Sequence, residues 1–194
     1  MSMFCFQCEQ TSRSSGCTAY GACGKDPETA ALQDLLVHAA KGISQYAHRA
    51  RQQGVRDRAV DVFVLEALFS TVTNVNFDRT SIAALINRAG ELKNAMKEAY
   101  EKAGGGESLA GPATWTPEAG IDALIRQGEA LSLEKRLEAH GKDTAGLQEL
   151  VLYGLKGLAS YADHAQILGQ EDEAVYAFVH EALSFLTEEH SVDE

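Results

Sequence analysis

Past residue 23 the chain contains no cysteine. Its four thiols, Cys5, Cys8, Cys17 and Cys23, lie within the first 23 of 194 residues. Proline is confined to Pro27, Pro112 and Pro117. That scarcity leaves long stretches free to be helical, because proline removes a hydrogen bond and clashes inside a helix. No apolar run approaches the roughly 20 residues of a membrane-spanning helix. The start, Met1-Ser2-Met3-Phe4-Cys5, lacks the basic region and apolar core of a secretory signal. Positive charge is in deficit: 17 Lys and Arg face 28 Asp and Glu, a net charge of −11. An acidic surface repels phosphate backbones and anionic headgroups, so neither nucleic acid nor a membrane is expected as a partner. A cationic patch on a redox partner protein still suits it. These absences point to a cytoplasmic protein, where thiols stay reduced and bind metal rather than pair.

Several catalytic signatures are also missing. The sequence holds no G-x-G-x-x-G, no Walker A motif, no nucleophile elbow and no H-E-x-x-H. No Glu is followed three residues later by His, so the di-iron bundle signature is absent. The six histidines read mostly as exposed, His48 and His164 among them, as partly polar side chains usually are.

What is present is helical. Residues 1–25 read as a cysteine-rich loop in which Gly16, Gly21 and Gly24 let the backbone approach a bound group closely. Asp26-Pro27 is a helix start, and Leu32, Leu35, Leu36, Ala39, Ile43, Tyr46, Ala47 and Ala50 form one apolar face up to a stop at Gly54. Further helices are predicted from Arg58 to Thr73 and from Ser81 to Lys102, giving a first three-helix bundle over 26–104. A Gly- and Pro-rich linker, 105–117, carries the only tryptophan, Trp115, expected to pack the linker onto a bundle. A helix from Pro117 to Ala139 is predicted next, opening a second bundle over 118–194.

An internal repeat organises the rest. Leu32–Leu68 and Leu147–Leu183 align without a gap at an offset of 115, with 17 identities in 37 positions. Lys41-Gly42 and Lys156-Gly157 recur in it, and the glycines read as sites of close helix packing. The fold class is therefore all-α: two related helical bundles of three-helix type, the second incomplete, behind an N-terminal cysteine-rich loop. Either the Pro117–Ala139 helix, a neighbouring chain or a downstream region completes that second bundle.

The C-x2-C-x8-C-x5-C cluster is a soft-ligand metal site. Iron–sulfur clusters and zinc are its natural occupants. Zinc sites with four cysteines commonly use two separate C-x2-C pairs; only one is present here. Phe4, Phe6 and Tyr20 flank the cysteines as candidate apolar walls, and Arg13 and Lys25 as candidate counter-charges.

The residues that carry these features also carry a resemblance. Phe4-Cys5-Phe6-Gln7-Cys8-Glu9-Gln10-Thr11, Gly16-Cys17-Thr18, Cys23-Gly24-Lys25, Leu32-Gln33-Asp34-Leu35-Leu36, Thr73-Asn74-Val75-Asn76-Phe77-Asp78 and Ala113-Thr114-Trp115 resemble the amino terminus of the hybrid-cluster proteins, or hydroxylamine reductases. The resemblance runs to Ser191-Val192-Asp193-Glu194. It implies that Cys5, Cys8, Cys17 and Cys23 hold a [4Fe–4S] cubane, the compact spacing resembling that branch rather than the [2Fe–2S] one. It also implies two three-helix bundles roughly at right angles. The family reduces hydroxylamine to ammonia and water, and nitric oxide reduction is attributed to it, at a separate hybrid cluster held by two further α/β domains.

None of those hybrid-cluster ligands maps onto this chain. The expectation is an electron-transfer domain, a piece of a longer enzyme and inactive by itself, whose partners are the remaining domains and a redox protein. The alternative is a helical oligomerisation module with a structural zinc site, pairing as a homo-oligomer through the incomplete bundle.

Overall fold

The computed structural model describes residues 3–8 and 15–190. The expectations for Glu9 to Ser14, Arg13 included, and for Ser191 to Glu194 fall outside them. Among the described residues seven α-helices run in order: α1 Pro27–Gln52, α2 Arg58–Ser70, α3 Arg79–Lys102, α4 Ile121–Glu129, α5 Leu133–His140, α6 Lys142–Ile167 and α7 Glu173–Phe185. A 3-10 turn, Gly111–Thr114, lies between α3 and α4. Among the described residues there is no strand, only an isolated antiparallel bridge between Cys5 and Cys17. No described helix is long and apolar enough to cross a membrane.

The helix starts follow from short acidic caps. Asp26 Oδ1 accepts from Thr29 N at 2.7 Å, with Pro27 at the first position. Asp57 and its repeat mate Asp172 cap α2 and α7 in the same way, each accepting at 2.8 Å from the N–H two residues on. Asp78 does this for α3, which begins at Arg79 rather than Ser81. Helix α2 stops at Ser70 rather than Thr73; Ser70 and Thr71 hydroxyls bond back to the carbonyls of Ala67 and Leu68 there.

The single helix expected over Pro117–Ala139 is two helices. Gly120 takes φ +91°, which a helix cannot continue through, and Ser132 caps a new start at Leu133. Helix α4 packs on α1 and α3, while α5 lies on α6.

Helix α1 is central. It packs against α2, α3, α4, α7 and the 3-10 turn. The two repeated hairpins, α1–α2 and α6–α7, cross: α1 packs on α7 and α2 on α6. Because α1 matches α6 and α2 matches α7, that pairing is what an approximate two-fold axis between the hairpins produces. The buried apolar residues of both form one continuous core. Trp115 packs the linker onto α1, its ring edge-on to His38 with centroids 6.2 Å apart, and Lys93 Nζ donates to its carbonyl.

A buried polar chain stitches the hairpins together. His180 of α7 meets Ser44 Oγ of α1 through Nδ1 at 3.0 Å and Asp61 Oδ1 of α2 through Nε2 at 2.9 Å. Arg51 pairs with both Asp61 and Glu173. This corrects the reading of the histidines as mostly exposed: His180 is 1% exposed. Burial holds its imidazole below the ordinary range despite Asp61. Burial would raise Asp61, but hydrogen bonds from His180 and Arg51 outweigh it and hold the carboxyl low. A neutral ring with its proton on Nε2 satisfies both neighbours.

Two predictions follow from this packing. A Cβ at Gly42 would meet Pro112 O at 2.3 Å, whereas at Gly157 nothing lies within 4 Å. The close approach expected at both glycines exists at Gly42 alone. Gly42→Ala should therefore destabilise by about 1–3 kcal/mol, and Gly157→Ala should stabilise by about 0.5–1 kcal/mol through helix propensity; urea unfolding measures both. Because the unfolded state takes up a proton on His180 near pH 6.5 and the folded state does so only lower, stability falls as pH drops through that range. His38, pushed down to about 4 by burial, acts in the same direction, and Asp34, pushed up to about 6 by burial, opposes it. The drop in urea midpoint between pH 7 and pH 5 should be smaller in His180→Gln than in the wild type. An equal drop in both would remove His180 from the account.

Candidate metal centre

The cysteine loop lies against the helices with its chain folded back on itself. Cys5 N donates to Cys17 O at 3.1 Å and Cys17 N to Cys5 O at 2.8 Å, and Met3 N donates to Thr18 O at 3.1 Å. Residues that exchange both bonds face each other with side chains on one side of the pair. Cys5 and Cys17 are therefore neighbours. Cys23 sits on a turn closed by Gly24 N to Gly21 O at 2.9 Å and Gly21 N to Lys25 O at 2.8 Å, with Gly24 at φ +92°. A side chain at Gly21 would meet Cys23 Sγ at 3.0 Å, so glycine keeps that sulfur clear. Cys8 faces an apolar groove shared with Phe6, Leu137, Leu150 and Tyr153.

All four cysteines are free thiols; Cys17 is buried and the other three are partly exposed. No disulfide competes for them. Among the described residues, no three Cys, His, Asp or Glu side chains converge on one point that could hold a metal ion. The donor set suits a soft metal or iron–sulfur group, and the backbone bridge sets Cys5 and Cys17 side by side.

The flanking residues divide. Phe4 and Phe6 form a tilted pair with centroids 6.2 Å apart and line the cavities beside Cys5 and Cys8. Gly16 is needed for this, since a Cβ there would meet the Phe4 ring at 2.6 Å. Tyr20 is 67% exposed and walls nothing. Lys25 is buried, its ammonium 5.7 Å from the Phe77 ring centroid.

The loop is anchored through Gln7, a residue that sequence reasoning passed over. Its side-chain NH2 donates to Thr71 O at 3.0 Å, and its side-chain oxygen accepts from Lys156 Nζ at 2.9 Å. Its main-chain carbonyl accepts from Tyr153 Oη at 3.3 Å. The C-cap of α2, Thr71, and helix α6 therefore both hold the segment between Cys5 and Cys8. Sequence reasoning also missed the polar cavity beside Cys5, lined by Asp34, His38, Lys41, Arg136, Glu149 and Lys156. The available signal was the recurrence of Lys41 as Lys156 in the repeat.

Comparison with known proteins now bears on this site. A family model described as the Prismane/CO dehydrogenase family matches residues 3–193. A hydroxylamine reductase of Rhodospirillum rubrum is 50% identical over 191 residues, covering 96% of this chain and 35% of its own. That of Methanocella arvoryzae is 48% identical over 183 residues, covering 94% and 34%. That of Geobacter sulfurreducens is 45% identical over 193 residues, covering 95% and 34%. The chain spans about a third of the length of these relatives.

Proposed function

Because the chain belongs to the Prismane/CO dehydrogenase family, we propose that Cys5, Cys8, Cys17 and Cys23 hold one iron–sulfur cluster, a [4Fe–4S] cubane, in an electron-transfer domain of a cytoplasmic hydroxylamine reductase. The observation that carries this reading is the set of four free thiols, two of them set side by side by the Cys5–Cys17 backbone bridge. One-electron transfer is the chemistry such a cluster supplies when bound. The protein's own contribution is positional. The bridge fixes two ligands, Gly21 clears a third, Phe4 and Phe6 keep water from the sulfurs, and Lys156 and Tyr153 hold Gln7 and with it the loop. Electrons are exchanged with an external redox protein and with the remaining domains of a longer enzyme. Reduction of hydroxylamine to ammonia and water, or of nitric oxide, belongs to that longer protein; these residues alone have no thiol left for a second cluster.

A second surface supports a partner role. In α1, Leu32, Leu35, Leu36 and Tyr46 are at most 5% exposed, beneath α3 and the other helices around α1. Their equivalents on α6, Leu147, Leu150, Val151 and Tyr161, are 44%, 66%, 41% and 80% exposed. This face suits a helix packed as α3 packs on α1, which is the proposed completion of a second bundle over 118–194. In the isolated chain a second copy is the available source of such a helix.

Anaerobic purification with iron and sulfide analysis, followed by electron paramagnetic resonance of the reduced protein, tests the cluster. Four irons and four sulfides per chain are expected, with loss of the signal in Cys17→Ser; zinc without sulfide would sink the reading. Sedimentation of the 194-residue chain at micromolar concentration should show self-association that Leu150→Glu with Tyr161→Glu abolishes. A wild-type monomer would contradict pairing through α6.

A further inference from the structure

Lys41 and Lys156 hold the same place in the two repeats, and both are turned away from solvent. They are 9% and 6% exposed. Both reach the polar cavity beside Cys5, one from α1 and one from α6. Asp34, Val37 and Lys41 line that cavity together with Glu149, Leu152 and Lys156, their equivalents at the offset of 115. Phe4, Cys5, Phe6 and Gln7 form its loop side. The crossing of the hairpins thus gathers the repeated pair of lysines behind one candidate ligand.

Charge there is one-sided. Arg136 and Glu149 pair with each other. Among the described residues, neither Lys41 nor Lys156 has a carboxylate within ion-pair distance. Lys156 Nζ donates to the neutral Gln7 side chain at 2.9 Å. Lys25 of the loop is buried against the Phe77 ring. Against these three ammonium groups stands the carboxyl of Asp34, within Coulombic reach of each. Burial pushes Lys41 and Lys156 down to about 8, which leaves both mostly charged at neutral pH. His38, pushed down to about 4 by burial, is neutral there. A buried charge without a partner is costly. A cysteine binds metal only as its thiolate, so ligation at Cys5 brings the missing negative charge within reach of Lys156.

On the basis of the iron–sulfur reading above, we propose that Lys41 and Lys156 are positioning residues acting through Cys5, whose buried ammonium groups offset the negative charge of the thiolate-ligated cluster and raise its reduction potential. One electron arriving from the external redox protein makes the site one unit more negative and brings no proton. Cations fixed in place before it arrives therefore favour the reduced form. Lys156 carries more of the effect, since the charge on Cys5 reaches it. Its bond to Gln7 is a separate, mechanical role.

The test is the midpoint potential of the iron-loaded 194-residue chain, read by electron paramagnetic resonance in an anaerobic redox titration, with iron and sulfide counted in every sample. Lys156→Gln keeps a donor for Gln7 while removing the charge. It should shift the one-electron equilibrium about tenfold towards the oxidised form, about 59 mV downward. Lys41→Met should shift it the same way by less, and Asp34→Asn should shift it upward. Lys97→Met, at an exposed position on α3, should leave it unchanged. Equal potentials in Lys156→Gln and the wild type, at full iron and sulfide content, would overturn this inference alone. So would a fall in Lys156→Met that Lys156→Gln does not share, because the lysine would then act as an anchor for Gln7 and not as a charge. Zinc without sulfide in the wild type would overturn the cluster reading and this inference with it.

Discussion

Helix α1 has almost no solvent face along its middle, and much else answers to that. Leu32, Leu35, Leu36, Ala40 and Ile43 are fully buried, so the helix must be covered by α2, α3, α4, α7 and the 3-10 turn together. A helix buried on every side also carries its polar groups inward, where each needs a partner. Gln33 donates to Asn76 O at 2.8 Å and so fixes the approach to α3. Gln45 donates to Ala110 O at 3.4 Å and Ser44 meets His180. The linker and the second hairpin are held where α1 requires them. At the polar cavity α1 turns Lys41 inward, and near its end it turns Arg51 inward to Asp61.

The repeat shows how little identity alone decides. Tyr46 and Tyr161 are matched residues in matched helices, yet one is 5% exposed and the other 80%. The difference lies in what packs on them. Helix α3 follows the first hairpin and covers it, whereas on the second, apart from the paired hairpin, only the short α5 lies on α6. Likewise Gly42 is pressed by the Pro112 carbonyl while Gly157 meets open space. Phe63 and Phe178 tell the same story on the second helices, at 0% and 53%.

Legibility in the sequence followed the range of the interaction. Caps such as Asp26-Pro27 and Asp57 act within a turn, so α1 and α2 start where the residues say they do. The break between α4 and α5 was hidden because 117–139 keeps a helical pattern while Ser132 starts a new helix; Gly120 only delays the start of α4 to Ile121. The four cysteines could be counted and spaced, but the Cys5–Cys17 bridge joins residues whose intervening loop has no periodicity to read. His180 was misjudged because its partners, Ser44 and Asp61, are 136 and 119 residues away. The cavity was encoded as two lysines at one repeat position, and a lysine in a helical pattern ordinarily means solvent.

The anchoring of Gln7 also sets an order of events. Its contact with Tyr153 closes a loop of 146 residues, and its bond to Lys156 closes a slightly longer one. Contacts of such separation form late, since the chain between must first be folded and its loop entropy overcome. The cysteines, synthesised before the helices that hold them, are thus among the last segments to be pinned. Assembly of a metal centre on them is then a finishing step, taken on a scaffold whose second hairpin is already docked, and a chain whose second hairpin is slow to dock would leave its thiols open to oxidation for longer.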